Sequence, residues 1–410
     1  MSIQKGFILD KVTITSNGDQ YSQSIPPQDL SWPFWPVVPL YPYGRRRTLR
    51  QEVVKDTIWT FDQLQGILYV VVPIRMTVIK LQSGGLLVYA PVAPTPECIR
   101  LVNELVAQHG EVKYIILPTV SGIEHKVFAG PFARCFPRSQ VFVAPHQWSF
   151  PLNLPLSWLG LPWGRTQILP LETHQTPFAD EFDYRILGPI NLGVGPFVEV
   201  AFFHKRSQTL LVTDSVISVP LDPPEIVQLN PYPLLFHARD SALEIVDDTK
   251  EIRRKGWQRI VLFSLYFRPG ALQTIEWGKV LKDALKAPNR SLKAYLGLFP
   301  FQWNRQWQKS FEILNKQNLL VAPILQGVIF NRDPLEVLTW VDQVSKWGFK
   351  QIIPCHFQSP IEANGSEFRE GFDFLRGKNQ PLPTEDLALI KNIDNNLTRF
   401  RITPPGSKNQ

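Results

Sequence analysis

The stretch from residue 56 to residue 117 constrains the chain more than any other. "TIWTFDQ", "ILYVVVPI", "MTVIKL" and "LLVYAP" are short runs rich in β-branched and aromatic residues, with the turn residues "SGG" between the last two. That is the pattern of successive strands. "PTPECIRLVNELVAQHG" follows and changes period. Thr95 is placed as an N-cap with Pro96 at the first helical position, Ile99, Leu101, Val102, Leu105 and Val106 recur at helical spacing, and Gly110 stands past the end. "VKYIILP" then reads as a buried strand, "GPFARCFP" as a short helix and "QVFVAP" as another strand. Further on, "DYRILGP" and "FVEVAFFHKRSQTLLVTDS" form a hairpin-like unit with the turn "KRSQ", ending at Asp214. Two mainly β blocks, each followed by helices, favour an α/β sandwich over an all-α or all-β fold.

The helices after the second block are expected near 271–286, 304–317 and 333–347. "SALEIVDDTKEIRRKGW" predicts a helix capped by Ser241 and stopped at Gly256, with "RIVLFS" as a following strand. "FKQIIPCHF" is a strand running into Cys355 and His356, and a last helix starts at Thr384. Residues 1–50 read as an arm: "PPQDLSWPFWPVVPLYPYGRRR" holds too many prolines for a regular helix or a central strand, and its aromatics suit wrapping over the body. Residues 147–165, "QWSFPLNLPLSWLGLPWGR", form an apolar loop that reads as a lid, a membrane-surface contact or a buried irregular segment. Partition with lipid vesicles tests the membrane-contact reading, and a fully soluble fraction counts against it.

Composition excludes several classes. An apolar fraction of 44% with 12% aromatic residues supports a sizeable core and not general disorder. A net charge of +7 over 410 residues is no evidence for nucleic-acid binding. The one dense basic cluster, Arg45, Arg46 and Arg47 with Arg50, reads as a solvated surface run or as a contact for an anionic partner. Three cysteines without a CxxC pair imply reduced thiols, hence a reducing compartment such as the cytoplasm. The first 30 residues lack an apolar signal-peptide core, and no run of 18 apolar residues suggests a transmembrane segment.

No nucleophile elbow, phosphate loop or dinucleotide fingerprint is present, and no two of the seven histidines stand at a metal-ligand spacing. What remains is position. Glu124 and His125 follow "YIILP", Asp214 ends "TLLVTD", and His356 follows "QIIP". In open α/β folds ligands collect at the carboxyl ends of strands. Two imidazoles and two carboxylates there suit one divalent metal, zinc, iron or manganese; each residue alone is equally a turn residue satisfied by backbone hydrogen bonds. His146 and His237, also at strand ends, are candidates for supporting contacts or core hydrogen bonds. Arg75 reads as an anion contact or a structural ion pair, and Cys355 as a buried inert thiol.

Thr119-Val120-Ser121-Gly122-Ile123-Glu124-His125 resembles the Thr-His-x-His-x-Asp-His signature of the metallo-β-lactamase superfamily. Val120 and Gly122 stand where that signature has its first two histidines, and "LGPINLGVG" holds no counterpart of the middle histidine. The resemblance implies that the ligands of one metal are lost, while the four positions of the second carry Glu124, His125, Asp214 and His356. "GGLLVYAPVAPTPECI", "GWQRIVLFSLYFRPGAL" and "VAPILQGVIFNRDP" resemble a branch of this superfamily of unknown function found in cyanobacteria and plant plastids. The implied fold is a metallo-β-lactamase-like αββα sandwich over residues 51–378, with a helical insertion about 220–345, the N-terminal arm 1–50, and a C-terminal helix and tail 379–410. The implied activity is a single-metal hydrolase of unknown substrate. The alternative is an inactive binding or scaffold protein on the same fold, holding no metal. Neither resemblance nor composition specifies an oligomeric state.

Overall fold

The computed structural model describes residues 25–36, 38–120, 124–147, 154–267, 269–378 and 382–406. Half of the arm expected over residues 1–50, residue Gly122, and part of the apolar loop (148–153) lie outside them. Strands β1 (Leu49–Val54), β2 (Ile58–Ile67), β3 (Val70–Lys80) and β4 (Leu86–Tyr89) open the fold, and helix α1 (Pro96–His109) leads into β5 (Val112–Leu117). Helix α2 (Glu124–Cys135) then precedes β6 (Gln140–Val143) and β7 (Thr166–Ile168). These seven strands form one sheet in sequential order, antiparallel from β1 to β4 and parallel from β4 to β7.

Strands β8 (Phe182–Asn191), β9 (Pro196–His204) and β10 (Thr209–Val212) begin the second sheet. A helical stretch follows: α3 (Glu225–Gln228), α4 (Tyr232–Ala238), α5 (Lys250–Tyr266), strand β11 (Leu272–Thr274), α6 (Trp277–Lys286), strand β12 (Phe301–Trp303), α7 (Trp307–Asn315), α8 (Pro323–Val328) and α9 (Pro334–Val344). The chain then returns through β13 (Gln351–Pro354) and β14 (Ile361–Glu362) and ends in α10 (Gly365–Glu370) and α11 (Thr384–Arg399). The second sheet runs β14-β13-β10-β9-β8, with β10 and β13 parallel, and β11 and β12 form a separate two-stranded antiparallel sheet.

Strand alternation assigns the layers. Ile58, Ile79, Leu87 and Ile116 of the first sheet meet Val198, Phe202, Leu211 and Ile353 of the second in one buried cluster. The opposite residues of the first sheet, such as Phe61, Met76, Val88 and Ile115, pack with Val102, Leu105, Phe128 and Phe132 of α1 and α2. Leu210, Val212 and Ile352 pack with Trp340, Val341 and Phe368 of α9 and α10. The result is the four-layer αββα sandwich expected from the sequence.

Two local readings are corrected. The stretch "RIVLFS" is not a strand, because α5 runs through Gly256 to Tyr266 from Thr249, whose side chain accepts from Ile252 N. Gly256 does not stop the helix; a Cβ there would stand 1.9 Å from the Leu234 carbonyl oxygen, so the glycine lets α4 and α5 touch backbone to backbone. "ILYVVVPI" and "MTVIKL" are not two strands either. The turn falls at Leu68 and Tyr69, both left-handed (φ 51° and 64°), and β3 continues through Pro73.

Pro73 is tolerated for a geometric reason. It faces Leu64 in a hairpin closed at Ile67 and Val70. Alternating outward from that closing pair, the backbone groups of Leu64 and Pro73 point away from each other. No ladder bond is lost at 73, and two carbonyls are left for other donors. Arg46 Nη1 donates to Leu64 O at 2.7 Å, and His356 Nδ1 donates to Pro73 O at 2.9 Å.

Arg75, two residues on, faces Asp62 directly across the same hairpin. Their fork-to-fork pair is buried, Nε–Oδ1 and Nη2–Oδ2 both 2.8 Å, and the same guanidinium donates to Pro354 O (2.8 Å) and Phe357 O (3.1 Å). This is the ion-pair reading of Arg75. Replacing Asp62 with Ala should therefore cost about 3–5 kcal/mol, because it strands a buried cation. Arg75→Met combined with Asp62→Leu should cost less than Asp62→Ala alone. Urea unfolding of the three variants measures both quantities.

Candidate functional site

Three loops meet at the carboxyl ends of β5, β10 and β13. The segment after β5 crosses to the second sheet: Val200 N donates to Pro118 O at 2.8 Å and Val120 N to Val198 O at 3.3 Å. Glu124 and His125 are not loop residues, as their position after a strand suggests; they form the first turn of α2. Asp214 lies two residues past β10 and His356 two residues past β13.

The structure brings Glu124, Asp214 and His356 together, with one ligand-capable atom from each within 4.8 Å of the others. His356 Nε2 stands 3.0 Å from Glu124 Oε2 and 3.1 Å from Asp214 Oδ1. Its Nδ1 is fixed by the Pro73 carbonyl, so Nε2 is the atom presented to the carboxylates. Burial works against a charged ring here, but the facing Glu124 and Asp214 outweigh it and hold His356 well above the ordinary histidine range. Burial likewise works against an ionised Asp214, and the bond to His356 reverses this and keeps its carboxyl below the usual value. The carboxylate side chains of Glu124 and Asp214 are 31% and 27% exposed, which leaves the cluster open to solvent on one side.

His125 stands beside this trio and not within it. The ring is 1% exposed, Nδ1 lies 3.2 Å from the Pro91 carbonyl, and Nε2 is buried with no hydrogen-bond partner. Burial, the largest influence, pushes its pKa down, so the ring is neutral: Nδ1–H donates to Pro91 and Nε2 keeps a free lone pair. A metal-binding imidazole has the same arrangement, with its second nitrogen tied to a carbonyl. The structure does not bring the other two candidates to the trio. His146 is exposed, at a left-handed φ of 64°. His237 is buried among Phe236, Phe263 and Phe301, with Nε2 on the Leu68 carbonyl at 3.1 Å. Cys355 is buried, and burial together with Asp214 pushes its thiol far up, so it stays protonated.

One residue that matters here went unnoticed in the sequence. Glu199, fully buried in β9, accepts from Thr213 N (2.8 Å), Asp214 N (3.1 Å), Ser215 N (2.9 Å) and Ser215 Oγ (2.8 Å). It gathers the backbone of the loop carrying Asp214 around one carboxylate. Burial first, and then the nearby Asp214 charge, push its own carboxyl up to about 7. The signal in the sequence was a lone acid inside "FVEVAFF", an otherwise apolar strand. The basic cluster also reads differently in three dimensions. Arg46 is 1% exposed, Arg47 pairs with buried Glu97, and Arg50 pairs with Glu104, so within this run the solvated reading fits the exposed Arg45 and not the other three.

Solved structures similar to the chain include a metal-soaked flavodiiron core from Synechocystis sp. PCC6803, at 9% identity and a TM-score of 0.40, covering 82% of this chain and 62% of that one. A flavoprotein from Thermotoga maritima, at 7% identity and a TM-score of 0.40, is covered over 64% of its length by 83% of this chain. A metallo-β-lactamase from Pontibacter korlensis, at 9% identity and a TM-score of 0.36, matches 80% of this chain and 99% of its own. Among curated proteins, none matches. Residues 55–374 match one family model, and the chain belongs to that family, the domain of unknown function DUF4336.

Proposed function

We propose that this protein is a hydrolase built around one divalent metal, with Glu124, His125, Asp214 and His356 as its ligands. The observation that carries the reading is the convergence of Glu124, Asp214 and His356 within 4.8 Å, from the first turn of α2 and the loops after β10 and β13. The buried, unpartnered Nε2 of His125 beside them fits the same group. Mixed imidazole and carboxylate donors suit zinc, iron or manganese. A bound metal of this kind supplies Lewis acidity and a water acidified toward neutral pH.

The chain's own groups set the conditions. Pro73 and Pro91 carbonyls orient the two imidazoles, Arg75 holds both ends of the segment 354–357, and Glu199 holds the backbone on either side of Asp214. The proton on His356 Nε2, shared between Glu124 Oε2 and Asp214 Oδ1, must leave before that nitrogen can act as a ligand. A second reading, a binding or scaffold protein with no metal, has its own support. Val120 is buried where the resembling signature carries a histidine, and the trio satisfies itself as a closed ion pair.

Three measurements decide. Protein purified without chelator or added metal should carry about one equivalent of a transition metal by elemental mass spectrometry, lost in Asp214→Ala and in His356→Ala. A metal-free wild type that stays folded and takes up no zinc, iron or manganese on titration would establish the second reading.

Metal uptake should release a proton. A histidine raised by folding contributes stability that is complete below its unfolded pKa and is lost as pH rises through its folded one. Metal-free protein should therefore weaken on the alkaline side of the ordinary histidine range, and His356→Ala should flatten that slope. While His356 is protonated, zinc affinity should climb about ten-fold per pH unit. Calorimetry in buffers of different ionisation enthalpy reads the released proton.

Glu199→Gln keeps the volume but turns an amide donor toward backbone N–H groups. It should cost roughly 1–3 kcal/mol in urea unfolding and weaken zinc binding by about ten- to a hundred-fold.

A further inference from the structure

A cleft of about 300 Å³ lies between the arm and α2, and its lining includes neither the trio nor His125. Trp32, Phe34, Leu40, Val127, Phe128 and Leu159 supply apolar wall. That volume is at the lower end of small-molecule sites, and an apolar wall with a few convergent polar groups is their usual composition. The polar side chains here are Arg46, Gln65 and, at the rim, Arg134.

Arg46 is the anomaly. Its side chain is 1% exposed, its Nη1 donates to Leu64 O, and its guanidinium carbon lies 5.2 Å from the centroid of the Phe128 ring. Nε is buried with no partner, and no carboxylate among the described residues pairs with it. Of the other buried guanidiniums, those of Arg75, Arg259 and Arg332 each meet an aspartate, and that of Arg239, less deeply buried at 9% exposure, lies over the Phe236 and Phe299 rings. Buried charges are paired as a rule, because desolvating an unpaired one is costly. Burial without a counter-charge pulls Arg46 down to about 10. Gln65, 3% exposed, adds a second polar group whose Oε1 has no partner. At the rim Arg134 is exposed, and Trp158 and Trp163, on the segment that contributes Leu159, are 75% and 91% exposed.

We propose that this cleft binds a fatty acid, with the carboxylate against Arg46 and the acyl chain along the Trp32–Phe128–Leu159 wall. The anion supplies the counter-charge Arg46 lacks, and the chain covers apolar surface otherwise open to water. The site is independent of the metal reading, so either can fail alone.

The test titrates the full chain with decanoate below its micellar concentration, with decanol and decyltrimethylammonium as controls of the same chain length. Tryptophan fluorescence, to which Trp32 reports, and calorimetry give the affinities. Decanoate should bind saturably and more tightly than decanol, with the ammonium weakest. Arg46→Met, which keeps the bulk and removes the charge, should weaken decanoate at least about ten-fold, and Arg134→Met should weaken it less. Val127→Trp, which fills the cleft and leaves Arg46 in place, should abolish binding and keeps the test decisive if Arg46→Met does not fold. Decanol binding as tightly as decanoate, binding undiminished in Val127→Trp, a larger loss in Arg134→Met than in Arg46→Met, or no saturable binding would each overturn the proposal.

Discussion

A buried guanidinium must find acceptors for its N–H groups and a charge to balance its own, and Arg75 solves both needs in a way that organises the molecule. Asp62 takes one edge of the fork and the carbonyls of Pro354 and Phe357 take most of the rest. Arg75 and Asp62 belong to the long β2–β3 hairpin of one sheet, and the carbonyls belong to the last residue of β13 in the other and to the loop just past it. One side chain thus fixes the hairpin against the second sheet at the point where His356 leaves it. Glu199 is the mirror of this arrangement in charge. A buried anion collects N–H donors from the loop at Asp214, where a buried cation collects carbonyls from the loop at His356. Backbone at strand ends is ordinarily free to adjust. Here two of the three loops that meet at the trio are held by buried charges whose removal would leave uncompensated polar groups.

Much of the fold was legible because its signals are local. Short β-branched runs separated by turn residues mark strands whatever their neighbours, and Thr95, Pro96 and Gly110 bracket α1 by their own chemistry. The two misread elements fail where a tertiary contact overrides the local cue. Gly256 carries the sequence mark of a helix end, but its missing side chain serves the contact with Leu234, which no local window contains. Pro73 carries the mark of a strand break, but hairpin register turns its missing N–H to the harmless side.

The trio itself was legible for a different reason. A polar residue just past an apolar strand stands out in the sequence, and parallel strands bring such residues to one end of a sheet. The groups that hold the trio do not stand out in that way. The carbonyls of Pro73 and Pro91 leave no trace in residue identity, since every residue has one. Glu199 at the trio, and Arg46 in the separate cleft beside α2, are visible only as charges where charges are out of place, one within an apolar strand and the other within a basic run that looks like surface. Their meaning comes from what faces them, an array of N–H groups in one case and an aromatic ring without a carboxylate in the other. Among the described residues no helix is long and apolar enough to cross a membrane.

The sequence distances in this arrangement have a consequence for how the site comes into being. Arg75 and the carbonyls it grips are 279 and 282 residues apart, and Pro73 and His356 are 283 apart. Contacts of such long range carry a loop-closure entropy that must be met before the contact can offset it. During synthesis the first sheet, α1 and α2 are complete at Ile168, long before β13 begins at Gln351. Glu124 and His125 therefore wait, on a structure whose other parts can already pack, for a segment near the far end. The cluster cannot close before β13 is in place, and an intact trio is in that sense a record that both sheets have been assembled.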